Sequence, residues 1–241
     1  MVRGIFYSSS AMQYLDEKMD IVSNNIANAN TNGFKRSGVA FNMHMVAEQA
    51  KLRDQIFTDP LPKGEIKSYV EYTQGHLQQT TNPLNFALEG SGFFSVQTPQ
   101  GTAWTRDGAF SMNEEGFLTT MDGYYVLGTY GPIRVEGKSF SVSDMGDIVV
   151  DNQIVNKFQV QDFDINDVIQ RGDNLFFAKD EFIDITDGNA FVKQGYLEGS
   201  NVSIVKEMIE MIAINKQYQA NDKAIKTNDD ALQKAVRDIA R

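Results

Sequence analysis

The sequence predicts an α+β protein. Helices from its N- and C-termini pair in a coiled-coil-like terminal domain, and a mainly antiparallel β domain is inserted between them. Three observations carry this. Residues 200–241 contain neither glycine nor proline and repeat apolar side chains at 3,4 spacing. Residues 5–32 repeat the same spacing. The chain between them breaks into short alternating runs separated by turn dipeptides, and 12 of the 16 phenylalanines and the only tryptophan, Trp104, fall within 75–195, where they supply a core.

In the first helix Ile5, Met12, Met19 and Ile26 take one register of the heptad, and Ser8, Leu15, Val22 and Ala29 the other. The pattern stops at Asn28-Ala29-Asn30-Thr31-Asn32-Gly33, where helix-poor residues accumulate and Gly33 offers a left-handed C-terminal cap. Residues 39–74 give a mixed signal. Phe41 to Ile56 has some helical spacing, but Asp59-Pro60-Leu61-Pro62-Lys63-Gly64 breaks it and an extended or linker segment is expected.

Strand-like runs follow at Leu84–Leu88, Phe93–Thr98, Ala103–Thr105, Phe110–Met112, Phe117–Thr120, Tyr124–Leu127, Ile133–Val135, Ile148–Val150, Phe158–Phe163 and Leu175–Ala178. Asp107-Gly108, Asp122-Gly123 and Asp187-Gly188 read as hairpin-type turns, because glycine tolerates the positive φ such turns require.

The last helix places Ile204, Met211, Tyr218, Ile225, Leu232 and Ile239 on one register, with Met208, Asn215, Asp222, Asp229 and Val236 on the other. From Val202 to Ile239 it would be roughly 57 Å long, longer than a domain of this size covers with its own core. It therefore needs partners. The run Asn215, Asp222, Asp229 is either a wet stretch of seam that fixes register or a sign that the helix turns these residues to solvent. Met12, Met19, Met208 and Met211 fill uneven gaps along the seams. The expected organisation is 1–38, an N-terminal helix and loop; 39–74, an extended or linker segment; 75–195, the β domain; and 196–241, the long C-terminal helix.

The formal charge of −10 is unevenly placed: residues 1–50 sum to zero, residues 200–241 to +1, and the middle holds −11. Nucleic acid is disfavoured as a partner, since neutralising phosphates needs a concentrated basic face. The pattern suits ends that pack on copies of themselves and a middle that stays solvated. The chain has no cysteine and only two histidines, His44 and His76. Disulfides and thiolate sites are thus excluded, and a histidine metal site or dyad is poorly supplied. No apolar run reaches the roughly 18 residues of a membrane helix, and the N-terminus lacks the apolar core of a cleaved signal peptide.

Candidate chemical motifs fall away on inspection. Glu89-Gly90-Ser91-Gly92-Phe93-Phe94 lacks the third glycine and following helix of a dinucleotide loop and reads as a turn before an aromatic strand. Asp162-Phe163-Asp164-Ile165-Asn166-Asp167 begins like a calcium loop but has Asp167 where glycine and Asp173 where glutamate is required. Asn201-Val202-Ser203 matches a glycosylation sequon, yet Ser200, Asn201 or Ser203 serves better as a helix cap. No catalytic constellation, cofactor site, metal site or small-molecule pocket is expected.

Asn24-Asn25-Ile26-Ala27-Asn28-Ala29-Asn30-Thr31-Asn32-Gly33-Phe34-Lys35-Arg36 closely resembles the signature following the first helix of bacterial flagellar rod and hook proteins. Two further blocks agree: Ala87–Phe94 with Thr105-Arg106-Asp107-Gly108-Ala109-Phe110, and Leu197-Glu198-Gly199-Ser200-Asn201-Val202 leading into Glu207–Ile212. Residues 39–75 resemble the family least. The resemblance singles out Asn25, Asn28, Thr31, Gly33, Phe34, Lys35, Glu198, Ser200, Asn201 and Val202 as signature positions. It implies a structural, non-enzymatic subunit of the flagellar basal-body rod that assembles helically in the periplasm with copies of itself and neighbouring rod proteins.

It also implies export by the flagellar type III apparatus without signal cleavage, and terminal helices that form an inner tube. The expected subunit interface is then Ile5, Met12, Leu15, Met19, Val22 and Ile26 with Ile204, Met208, Met211, Tyr218, Ile225, Leu232, Val236 and Ile239. Modest length and the Leu-Glu-Gly-Ser-Asn-Val form look most like the proximal-rod protein, and Thr31–Arg36 next most like the distal-rod protein. The competing class is a periplasmic oligomeric adaptor that binds partners through its acidic β domain.

Overall fold

The computed structural model describes residues 2–44, 63–137, 139–163, 168–172, 174–178, 185–187 and 189–239. They form two compact units. One comprises Met1–Ala27, Ser37–Glu71 and Ser203–Arg241, and the other Asn28–Arg36 and Tyr72–Val202. The fold is α+β, with a helix at each end and mainly antiparallel sheets between.

In the helical unit, α1 spans Val2–Ala27 and α2 spans Ile204–Ile239. Leu15 and Val22 of α1 and Ile214 of α2 form the buried centre, flanked by half-buried Tyr14, Met19, Ile26 and Met211. The helices run antiparallel, because Asn25 bonds Glu207 while Lys18, one to two turns earlier, pairs with Glu210. Strand Ser37–His44 pairs antiparallel with Lys63–Val70 in the same unit, Ser37 opposite Val70.

The heptad grid is displaced on α2. Met211 and Ile225 are half-buried, but Ile204, Met208 and Tyr218 are exposed, and Ile214, off the grid, is the residue α1 buries. Asn215 and Asp229 face solvent and Asp222 is half-buried. In the first three turns of α2 apolar side chains extend well beyond the side that α1 covers, and Glu207 and Glu210 share that covered side with Ile214, so apolar periodicity there does not select it. The side chains of Ile5, Leu232, Val236 and Ile239 lie outside the described residues. On α1 the grid holds: Leu15 and Val22 are buried, and Met12, Met19 and Ile26 half-buried.

The β unit is built on one antiparallel sheet in the order Val168–Arg171, Leu175–Ala178, Gly101–Thr105, Phe93–Thr98, Tyr125–Gly128, Leu118–Thr120, Phe110–Met112. A three-stranded sheet, Phe140–Val142, Asp147–Val150 and Gln153–Lys157, and the pair Phe86–Gly90 with Ala190–Gln194 complete the core. Strand Phe93–Thr98 is central and buried on both faces apart from Gln97, which is why its sequence does not alternate. Phe86, Phe94, Phe110 and Phe158 fill the middle, with ring centroids 5.1 to 6.5 Å apart, separations at which tilted and edge-to-face rings attract.

Several turns differ in mechanism from expectation. Gly123 has φ +86° in its Asp122-Gly123 turn, as the dipeptide implies, but Gly108 does not use positive φ. A Cβ there would meet the Phe86 carbonyl oxygen at 1.8 Å, so glycine is required for close backbone approach. Gly33 lies six residues beyond α1 and is not its cap. It combines φ +67° with a backbone approach to Arg106 and Asp107 that no side chain fits. Ile133 and Val135 are buried, but with exposed Arg134 between them they form no strand, only an isolated bridge from Arg134 to Phe117. Of the acidic run beginning at Asp162, residues 164–167 and 173 lie outside the described residues, as does Gly188.

Asp107 accepts a hydrogen bond from Ala109 N at 3.0 Å, yet burial holds its carboxyl above the usual value of 3.8. Above 3.8 the unfolded chain therefore ionises at this position before the folded one, and stability falls as pH rises through that window. Asp107→Asn keeps the Ala109 contact and removes the ionisation. The variant should melt at a higher temperature than the wild type at pH 7, with the gap closing as the pH approaches 3.8; calorimetry at several pH values checks it.

Candidate functional site

The signature residues converge on one fully buried carboxylate. Glu198, at 0% exposure, ends strand Tyr196–Glu198, which pairs with Leu77–Gln79. Its Oε1 accepts hydrogen bonds from Lys35 Nζ at 2.6 Å and Gly75 N at 2.9 Å, and its Oε2 accepts one from Arg106 Nη1 at 3.1 Å. Its backbone carbonyl accepts from Gly33 N at 2.8 Å.

The cations are equally enclosed, Lys35 at 1% and Arg106 at 5% exposure. Lys35 Nζ also donates to Thr73 O at 3.0 Å, and Arg106 Nη2 to Gly90 O at 2.7 Å. Burial holds the Lys35 ammonium below the usual lysine range. Glu198 pulls the other way by charge and hydrogen bond, and Arg106 adds to the lowering.

Around this centre the remaining signature side chains make local ties. Asn201 accepts from Arg36 N at 2.7 Å and donates to Thr73 O and Oγ1 at 3.2 and 3.0 Å. Ser200 Oγ accepts from Val202 N at 3.2 Å; α2 itself starts at Ile204, just after Ser203. Thr31 bonds Asn28 through backbone and side chain, Phe34 is buried, and Asn174 Nδ2 donates to Asn32 O.

Asn25 does parallel work in the helical unit. Its amide exchanges two hydrogen bonds with the Ser37 backbone, at 2.8 and 2.9 Å, and donates to Glu207 Oε2 at 3.2 Å. Asn25 thereby substitutes for a strand partner at the start of Ser37–His44.

Arg106, Thr73, Gly75 and Glu207 were not singled out from the sequence. The usable signal for Arg106 was its place inside the block Thr105–Phe110, a cation between a buried strand and a glycine turn. The backbone groups of Thr73 and Gly75 carry no sequence signal. The arrangement offers no nucleophile beside a base and no open metal position. It ties chain segments together and leaves long helix surfaces exposed, which defines a structural subunit.

Three family models match in chain order: flagella basal body rod protein over residues 7–35, flagellar hook protein FlgE/F/G D1 domain over 87–167, and flagellar basal body rod FlgEFG protein C-terminal over 193–238. The flagellar basal-body rod protein FlgG of Buchnera aphidicola subsp. Schizaphis graminum is 32% identical, covering 97% of this chain and 98% of its own. FlgG of Bacillus subtilis is 31% identical over 98% of each chain, and the rod protein FlgF of Mesorhizobium japonicum 31% identical over 94% and 98%. The chain belongs to the flagellar basal-body rod protein family, and it is a structural rod subunit and not an enzyme. Among the described residues no helix is long and apolar enough to cross a membrane.

Removing Glu198 leaves two cations buried without a counter-charge. Glu198→Ala should lower stability by roughly 3–5 kcal/mol. Breaking the exposed Arg134–Glu136 pair with Arg134→Ala should cost about 0–1 kcal/mol. Urea denaturation of both variants measures the contrast.

Proposed function

We propose that this chain is a subunit of the proximal rod, that it reaches the periplasm through the flagellar type III export apparatus without signal cleavage, and that its copies stack helically with each other and with neighbouring rod proteins. The observation that carries the assembly is the outer face of α2. Val205, Met208, Ile209 and Ile212 are 67, 53, 62 and 56% exposed, and they recur at the 3- and 4-residue steps of a single helical face, turned away from Ile214 and α1.

Four large apolar side chains in one stripe on a 36-residue helix are a surface for partners. Burial at about 25 cal/mol per Å² makes their coverage favourable. Of the interface residues, Ile204, Met208 and Tyr218 then belong to contacts with neighbouring subunits, and Leu15, Met19, Val22 and Ile26 to the intrachain helix pair. Torque passes through many interlocked apolar contacts and no single bond. The length of 241 residues and the Leu197–Val202 form support the proximal position over the distal one.

Ile212→Asp should abolish incorporation into rods while changing the stability of the isolated chain by less than about 0.5 kcal/mol, because the site is exposed. Normal incorporation of this variant would refute the assembly surface. Immunogold labelling along purified basal bodies tests the position: label next to the inner-membrane ring is expected, and label beneath the hook would assign the distal rod instead.

A further inference from the structure

The backs of the two helices carry opposite charge. On α1 the face turned away from Leu15 and Val22 exposes Asp16, Glu17 and Asp20, and the one lysine nearby, Lys18, sits at the helix interface paired with Glu210 at 2.7 Å. On α2, beyond the apolar stripe, the outward face exposes Lys216, Lys223, Lys226 and Lys234 together with the acid Asp230, and exposed Asp229 lies nearer the helix interface, among the described side chains. Lys226 keeps 73% exposure despite its bond to Asp222. Within one chain these faces point away from each other, because the buried Leu15, Val22 and Ile214 lie between the helices.

We infer that the basic back of α2 in one copy docks against the acidic back of α1 in the next copy of this chain. This rests on the self-assembly proposed above and adds what sets its direction. The two faces are different surfaces on opposite sides of the helix pair, so the contact is head-to-tail and propagates from copy to copy instead of closing a two-fold dimer. Two acidic backs or two basic backs repel, which rejects the isologous alternative.

The contact also has a stagger. Lys18 marks the level of Asp16–Asp20 on α1 and pairs with Glu210, whereas Lys223 lies 13 residues further along α2. At 1.5 Å per residue, the lysines from Lys216 to Lys234 reach the acidic face when successive copies are displaced by about 9 to 36 Å along the helix axis, with Lys223 near the middle at about 20 Å. That displacement leaves Val205–Ile212 clear for another copy.

The test uses the full-length chain in two variants, one with Lys216, Lys223 and Lys234 changed to Glu, the other with Asp16, Glu17 and Asp20 changed to Lys. All six positions are exposed, and circular dichroism verifies that both remain helical. Sedimentation at low salt should show each variant alone requiring a roughly tenfold higher concentration to assemble than the wild type, the effect of a few exposed pairs. An equimolar mixture should recover at least part of that loss, because each variant then meets an oppositely charged back, and wild-type assembly should weaken as salt is raised.

Variants that assemble like the wild type, or a mixture no better than its components, would overturn the charge pairing alone. A wild-type chain that stays monomeric at every salt concentration would overturn the self-assembly reading with it.

Discussion

Everything in the β unit that leads to or from the helices is referred to one buried carboxylate. The chain passes between the units at 27/28, 36/37, 71/72 and 202/203. Within the β unit, the segments next to these passages are Asn28–Arg36, Tyr72–Gly75 and Glu198–Val202, and Glu198 bonds to Gly33, Lys35 and Gly75 among them. A charge inside protein is tolerated only when paired and hydrogen-bonded. Glu198 meets that demand with donors drawn from separate stretches of chain, so its satisfaction requires all of them to be in place together. Buried ion pairs are weak contributors to net stability; what this one supplies is a single permitted geometry.

The helical unit solves a similar problem with a neutral group. Asn25 offers both a donor and an acceptor to Ser37, which a carboxylate or an ammonium cannot, and it has a donor left for Glu207. This polar tie lies toward the C-terminal end of α1 and the first turns of α2, where apolar side chains extend well beyond the side that α1 covers. Leucine or valine at position 25 would extend the apolar contact but leave α2 free to turn. The tie selects which apolar side α1 covers and so leaves Val205, Met208, Ile209 and Ile212 outward.

The division of legible from illegible follows from the kind of force at each place. The helices at both ends, Phe93–Thr98, Phe110–Met112 and Leu175–Ala178 were readable because burial leaves a periodic or compositional mark. Strands such as Gln153–Lys157 and Ala190–Gln194 carry exposed Ile154, Val155 and Phe191, so no clean alternation announces them. The heptad grid on α2 missed the buried Ile214 and reached its flank only through Met211, because the side that α1 covers also carries Glu207 and Glu210; the choice rests on Asn25, Lys18 and Leu15, far away in sequence. Glu198 and Lys35 could be singled out through family resemblance, yet their pairing across 163 residues was invisible, since a lysine and a glutamate look the same in sequence whether solvated or buried.

Charge shows the same limit in its sharpest form. The N-terminal 50 residues are neutral and residues 200–241 carry +1, which reads as electrostatically inert. Folding sorts those charges by face: the acids of α1 lie outward while Lys18 turns to the interface, and Glu207 and Glu210 of α2 turn inward while its lysines stay out. Net charge is a sum and the helix pair is a dipole across its own width, so the sum conceals what a neighbouring molecule meets. The β unit lies within the chain's strongly acidic middle, and there the summed charge is informative, because repulsion between like-charged units disfavours stacking through that surface. In the proposed assembly, association is thereby directed to the helices, where opposite faces and an exposed apolar stripe occur together.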